Sequence, residues 1–314
     1  MFARLAAIPG LLCRENAPLR NYTRFEVGGP ARLLADAPTE DALRAALDVI
    51  GSSEHALIGG GSNVVASDAG FPGVVLRYTG QALAIVGTRV RVAAGAVLQD
   101  LVDATIAAGL EGLHTMTGIP GWAGGAIYGN AGAYGHSIHE FVESVRYLDG
   151  SGVHEIGNAA CQFRYRESVF KQAKERVILD ATLRLVPGET FRLRAQADDI
   201  LKIRNEKYPP YMRCAGSIFK NLILAELPAS VRTQVPERVI REGKVPSAYF
   251  LELAAAKGMT RGGIRVADYH ANLLYNSGGG SGAEVREIVD LLKERVRSQF
   301  GLRLEEEVQY LGRF

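Results

Sequence analysis

Cysteine is scarce and poorly spaced for any scaffold role. Cys13, Cys161 and Cys214 are odd in number and far apart, and no C-x-x-C occurs. A disulfide framework or cysteine zinc site is therefore not expected, and the thiols suit a reducing cytoplasm. An excess of one charge is also missing. The 36 basic and 34 acidic residues leave a net charge of +2 with no block of either sign, so a basic stripe for nucleic acid is not expected. Long apolar runs are absent as well. The longest segment without Asp, Glu, Lys or Arg, Gly112 to His139, is broken by glycines, Pro120 and Asn130, which argues against a membrane helix. The opening MFARLAAIPGLLCRENAPL is interrupted by Pro9-Gly10 and has no small-residue cleavage site before Cys13. It reads as the start of the folded chain and not as a signal peptide. No G-x-S-x-G motif and no internal repeat is present.

What is present is an ordinary globular composition, 47% hydrophobic and 22% charged over 314 residues, enough for one large domain or two or three smaller ones. From Phe25 to about Val186, short β-rich runs alternate with turn residues: ARLLADA, HALIGGG, GVVLRY, LAIVG, RVRVAAG, VESVRYLD and RVILDATLRLV. Two helices interrupt them, TEDALRAALDVI with Thr39 as N-cap and VLQDLVDATIAAGL ending at Gly109. This is an α+β pattern and not the regular alternation of a doubly wound sheet. After Pro187 the texture changes to a helix ending before Pro209, a helix in SAYFLELAAAKG, a strand in HANLLYN and a strong terminal helix. In the last, Val285, Ile288, Val289, Leu292 and Val296 form one apolar face, Ser281 and Glu284 a capping box, and Gly301 the C′ residue. LRLEEEVQYLG reads as a final strand. The expected domains are residues 1–187 and 188–314.

Two loops are rich in glycine. LIGGGSNVVAS carries Gly59, Gly60 and Gly61, followed by Ser62 and Asn63 as hydrogen-bond donors. Successive amides in such a turn can hold a phosphate, although a tight hairpin explains the residues equally. GIPGWAGGAIYGNAGAYG, from Gly118 to Gly135, has more glycines than turns require and no charge. It suits a large flat or phosphorylated ligand held by backbone N–H groups. A third stretch, Gly278-x-Gly280-x-x-Ala283 between a strand and the terminal helix, imitates a dinucleotide fingerprint, but the capping box accounts for it without a ligand. His136 and His139 form H-x-x-H with no third ligand evident, so no metal is expected.

The motifs in RCAGSIFKNL, CQFRYRESVFK and LEEEV, taken with the two loops and with NYTRFEVGGPA, KGMTRGG and HANLLYN, resemble the UDP-N-acetylenolpyruvoylglucosamine reductase (MurB) family along nearly the whole chain. The resemblance implies an FAD-binding domain of the vanillyl-alcohol-oxidase (PCMH) type plus a smaller α+β substrate domain. It implies a reaction in two halves, in which hydride passes from NADPH to non-covalent FAD and then to the enolpyruvyl double bond of a UDP-sugar. By motif, Ser217 is the proton donor, Arg166 the bidentate fork on the substrate carboxylate, and Glu307 a protonated acid facing the enolate. FAD contacts are implied for Gly59, Gly60, Gly61, Ser62, Asn63, Gly118, Ile119, Pro120, Gly124, Gly125, Asn130, Ala131 and Gly132. Substrate contacts are implied for Tyr165, Lys220, Asn221, Lys257 and His270. The family's usual proline after Asn221 is Leu222 here, and Trp122 stands where relatives carry a small residue. A monomer without membrane or nucleic-acid partners is expected. Two rivals stand beside this reading: another FAD-linked oxidoreductase of the same fold, with flavin attached through histidine in some cases, and a non-catalytic nucleotide-binding module built on the terminal helix.

Overall fold

The computed structural model describes residues 1–314, which divide into two compact units. The first comprises Met1–Ala17, Ala31–Gly61 and Pro72–Pro209, and the second Pro18–Pro30, Ser62–Phe71 and Pro210–Phe314. The boundary expected after residue 187 therefore moves. The helix Thr190–Lys207 buries Leu193 and Ala197 in the first unit's core, and two early stretches of chain belong to the second unit. A composition change along the chain cannot reveal segments that cross between units.

In the first unit a five-stranded antiparallel sheet runs in the order Gly152–Gly157, Val142–Asp149, Val177–Arg184, Arg89–Ala93, Leu83–Val86. Alternation along these strands sends Val90, Val92, Val145, Ala181 and Leu183 inward. They meet the helices Leu98–Ala107 and Ala123–Tyr128 in one core. Outward residues pair as ions, with Arg91 and Arg146 both on Asp180. A four-stranded sheet, Leu12–Pro18, Pro30–Ala37, Phe71–Tyr78 and His55–Leu57, makes a second layer. The helix Glu40–Ile50 shares its core, burying Ala42, Leu43, Ala46 and Ile50. Thr39 caps that helix by accepting from the Ala42 amide. Burial of Leu43 or Ile50 contributes about 2 kcal/mol each, which ties the helix to the sheet more strongly than its cap does.

The second unit is built on an antiparallel sheet, Thr260–Arg261, Ile264–Ala267 and His270–Asn276. The terminal helix Gly282–Phe300 shares its core, with Val285, Ile288, Val289, Leu292 and Val296 fully buried. Its capping box at Ser281 and Glu284 is formed, and Gly301 ends it at φ +69°. The glycines of VGGPA are needed because backbones cross there: a Cβ on Gly29 would lie 2.1 Å from the Asp68 carbonyl oxygen. The final strand is shorter than expected. Only Gln309–Leu311 is regular, paired in parallel with Val64–Ala66. Before it, Glu305 to Glu307 pair with the serine segment only through an isolated bridge at Glu306 and its flanking backbone bonds. No helix is long and apolar enough to cross a membrane.

Candidate functional site

The serine segment is fixed from both sides. Ser217 bridges Leu273, and the Ile218 amide donates to Asn272 O at 3.1 Å. The Asn272 side chain, itself buried, accepts from the Phe219 amide at 2.9 Å and donates back to the Phe219 carbonyl at 2.8 Å. On the other side the Lys220 amide donates to Glu305 O at 2.9 Å and the Glu307 amide to Ile218 O at 2.7 Å. Ser217 and Glu307 thus lie on adjoining segments of one small β arrangement. Gly216 precedes the serine at φ +75° with nothing near its missing Cβ. Its glycine is needed for a left-handed turn, not for close packing.

Lys220 is buried at 7% exposure and its ammonium pairs with Glu305. Ser247 Oγ donates to the Lys220 carbonyl, and Asn221 Oδ1 accepts from the Ser247 amide at 3.4 Å. Leu222, at the position expected to be proline, pairs with Val245 and packs on the core. Burial raises the Cys214 thiol, so the cysteine just before the serine is inert and no nucleophile. His270 opens the strand His270–Asn276 and accepts from the Asn272 amide through Nδ1 at 3.1 Å, which leaves the neutral ring's proton on Nε2. Lys257 is exposed and ion-paired with Glu252 at 3.1 Å.

Asn63 was expected among cofactor contacts, yet its amide does something else. Nδ2 donates to the Glu307 carbonyl at 2.9 Å, and the Gln309 amide donates to Asn63 O at 2.9 Å. It is a strut behind Glu307. Ser62, beside it, opens the second unit's portion of that loop.

The first unit holds the remaining candidates. Arg164 and Glu167 exchange backbone bonds at 3.0 and 3.1 Å, closing a turn over Tyr165 and Arg166. Arg166 sits at φ +57°, a left-handed conformation costing a side chain roughly 1 kcal/mol. Lys171 holds the turn by donating to the Arg166 carbonyl at 3.0 Å and to Glu167 Oε1 at 2.9 Å. The guanidinium lies over the Tyr165 ring at 5.1 Å and donates to Gly132 O at 3.1 Å. Asn130 is buried, with Nδ2 on the Arg164 carbonyl at 2.9 Å. The arginine turn and the second glycine loop therefore interlock.

That loop is less open than its glycines suggest. It contains a helix, Ala123–Tyr128, and spends many of its amides internally. Gly118 donates to Gln99 Oε1 at 2.8 Å, Ile119 to Met116 O at 3.0 Å, Gly124 to Ala94 O at 2.8 Å and Ala131 to Ala126 O at 2.7 Å. Pro120 and Gly125 are exposed. The two glycine loops meet through Trp122. A Cβ on Gly60 would stand 3.1 Å from Trp122 Cδ1 and Nε1, and one on Gly59 would stand 3.7 Å from Cε3. Gly61 turns at φ +66°. Bare backbone, no charged side chain in either loop, and a flat ring between them fit a large dinucleotide.

The fingerprint-like stretch before the terminal helix is already filled. Asp68 accepts from the Gly282 and Ala283 amides, both at 2.9 Å, and so occupies the position a phosphate would need. His136 and His139 bond to Glu140 and Ser137, each at 2.8 Å.

Residues 31–157 match a family model described as FAD binding domain, and residues 208–311 one described as UDP-N-acetylenolpyruvoylglucosamine reductase, C-terminal domain. A UDP-N-acetylenolpyruvoylglucosamine reductase of Solibacter usitatus is 53% identical over 311 residues, covering 98% of this chain and all of that protein. The chain belongs to the UDP-N-acetylenolpyruvoylglucosamine reductase family. A member from Bacillus subtilis is 32% identical, with coverage of 95% of this chain and 93% of the relative. The crystal structure of the Thermus caldophilus reductase (MurB) superposes with a TM-score of 0.76 at 25% identity, covering 96% of this chain and all of that one. The fold is thus the family's α+β arrangement with an FAD-binding domain of the PCMH type. The sequence had shown its motifs well, whereas the strut roles of Asn63 and Asn272 carried no local signal because their partners are far away in the chain.

Proposed function

We propose that this chain reduces the enolpyruvyl group of UDP-N-acetylglucosamine enolpyruvate to give UDP-N-acetylmuramate for peptidoglycan, as a cytoplasmic monomer. Non-covalent FAD, when bound between the glycine loops, would carry hydride from NADPH to the substrate double bond. The first unit is the flavin-binding part and the second the substrate-binding part. The chemistry leaves negative charge on the carbon beside the substrate carboxylate, and that carbon must then gain a proton. Ser217 donates this proton from its hydroxyl, with Glu307 as the second group facing the enolate. Arg166 takes the carboxylate through its planar fork, whose geometry suits two oxygens at once. Tyr165, Lys220, Asn221, Lys257 and His270 bind the UDP-sugar.

One observation carries this reading: Ser217 pairs with Leu273, and the residues that follow it, Ile218 to Lys220, bond to the Glu305–Glu307 segment. A serine that only closed a turn would not need its neighbours fixed along two strands, whereas a weak acid must be held in place to deliver a proton. Ser217→Ala tests it through the separate half-reactions. Flavin reduction by NADPH should persist, while reoxidation by the enolpyruvyl substrate falls about 10²- to 10⁴-fold. Equal loss in both halves would remove Ser217 from the role of proton donor.

A further inference from the structure

We propose that Trp122 is a contact residue for the adenosine-diphosphate half of the bound dinucleotide, and that Asp36 and Arg77 position it. The inference rests on the flavin reading above. Trp122 is the chain's only tryptophan and caps the helix Ala123–Tyr128 from inside the second glycine loop. Its pyrrole edge, with the N–H, stands against Gly60, and its benzo ring against Gly59. Gly60 is not at positive φ, so its backbone would accept a side chain; the indole, with the Gly121 Cα, is what crowds one.

The ring has a partner within the first unit. The Arg77 guanidinium lies over it, 5.5 Å from the centroid. The same guanidinium is bidentate on Asp36, at 2.6 and 2.8 Å, and Asp36 also takes Arg14 at 2.8 Å. Burial pushes the Asp36 carboxyl upward, but Arg77 and Arg14 outweigh it and hold it below the usual range. Committed as a bidentate pair to Asp36, Arg77 presents its guanidinium to the ring. Beside the ring stand two kinds of uncharged donor, the amides of the bare turn at Gly59–Gly61 and the indole N–H. A turn of this kind suits a diphosphate, which binds amides and other neutral donors in a concave loop. The partly exposed ring adds a flat apolar wall for the attached nucleoside. Holding the ring in advance lowers the ordering cost of binding.

Because there is one indole, its emission reports this site alone. The full chain, as holoenzyme and after removal of flavin, is excited selectively at tryptophan and quenched with acrylamide. ADP and riboflavin are added separately to the flavin-free chain. ADP does not absorb where tryptophan emits, so any change it causes is local. The expected result is that ADP shields the indole over the concentrations at which it competes with FAD, and riboflavin does not. Trp122→Phe keeps a ring but loses the N–H, and FAD affinity should weaken about tenfold, equivalent to about 1.4 kcal/mol, with an unchanged melting temperature of the flavin-free chain. Arg77→Lys keeps a cation for Asp36 but loses the guanidinium over the ring, and should weaken shielding by ADP. ADP that competes with FAD yet leaves acrylamide quenching unchanged would overturn the proposal while leaving the flavin reading intact. Shielding by riboflavin alone would overturn the assignment to the ADP half. Failure of the chain to bind FAD or ADP at all would overturn both.

Discussion

At the scale of single residues, the site is defined as much by struts as by reacting groups. Asn63 shows this most directly. It sits in a glycine motif that reads as a ligand loop, but its side chain holds the carbonyl of Glu307 at 2.9 Å. A part-buried hydrogen bond of this kind contributes about 1 kcal/mol. Asn63→Ala should therefore lower stability by about that amount, measured by denaturant unfolding. Its kinetic effect should be uneven: flavin reduction by NADPH nearly unchanged, reoxidation by the enolpyruvyl substrate slowed. Equal slowing of both halves would mean that Asn63 serves the cofactor. Arg166 is held by a different device. Its left-handed backbone is tolerated because Lys171 and the paired amides of Arg164 and Glu167 fix the turn, a local strain kept where a side chain must point one way.

At the scale of elements, the terminal helix decides between two explanations of the same glycines. Its N-terminus resembles a dinucleotide fingerprint in sequence, but Asp68 from another segment already bonds the Gly282 and Ala283 amides. Asp68→Ala should cost about 1 kcal/mol or somewhat more in unfolding experiments, as loss of a capping carboxylate does. NADPH binding should not change; a gain or loss of NADPH affinity in this variant would put a nucleotide at the helix after all. The elements whose signals are local were legible in the sequence. Thr39, Ser281 with Glu284, and Gly301 mark their helix ends, and the strands Val142–Asp149, Val177–Arg184 and His270–Asn276 alternate or run apolar as strands do. Elements fixed by distant partners were not. The strand Leu12–Pro18 is mostly exposed and its polar residues fall together at Arg14 to Asn16, so no alternation betrays it. The helix Ala123–Tyr128 is hidden by glycines that disfavour helix, one of which, Gly124, packs a missing Cβ 2.7 Å from Ala94 Cβ. Glu305 to Glu307 bond to the serine segment, which sequence periodicity cannot report.

At the scale of the whole molecule, the chain weaves between its units: Pro18–Pro30 and Ser62–Phe71 serve the second unit while their neighbours serve the first. The GGGSN motif is divided by this weaving, its glycines in one unit and Ser62 and Asn63 in the other. A motif read as one ligand loop thus has its glycines against Trp122 in the first unit and its asparagine bonded to the Glu307 carbonyl in the second. Family membership, the glycine loops with no charged side chain and the serine segment anchored on two sides all lead to one sequence of events, and sequential-mixing absorbance measures it directly. The holoenzyme is mixed without oxygen with one equivalent of NADPH, and the flavin band is followed; UDP-N-acetylglucosamine enolpyruvate is added next. The account predicts bleaching with NADPH and return of the oxidised flavin band, with one UDP-N-acetylmuramate formed per flavin, on adding the UDP-sugar. Bleaching that persists in the presence of the enolpyruvyl substrate would contradict it.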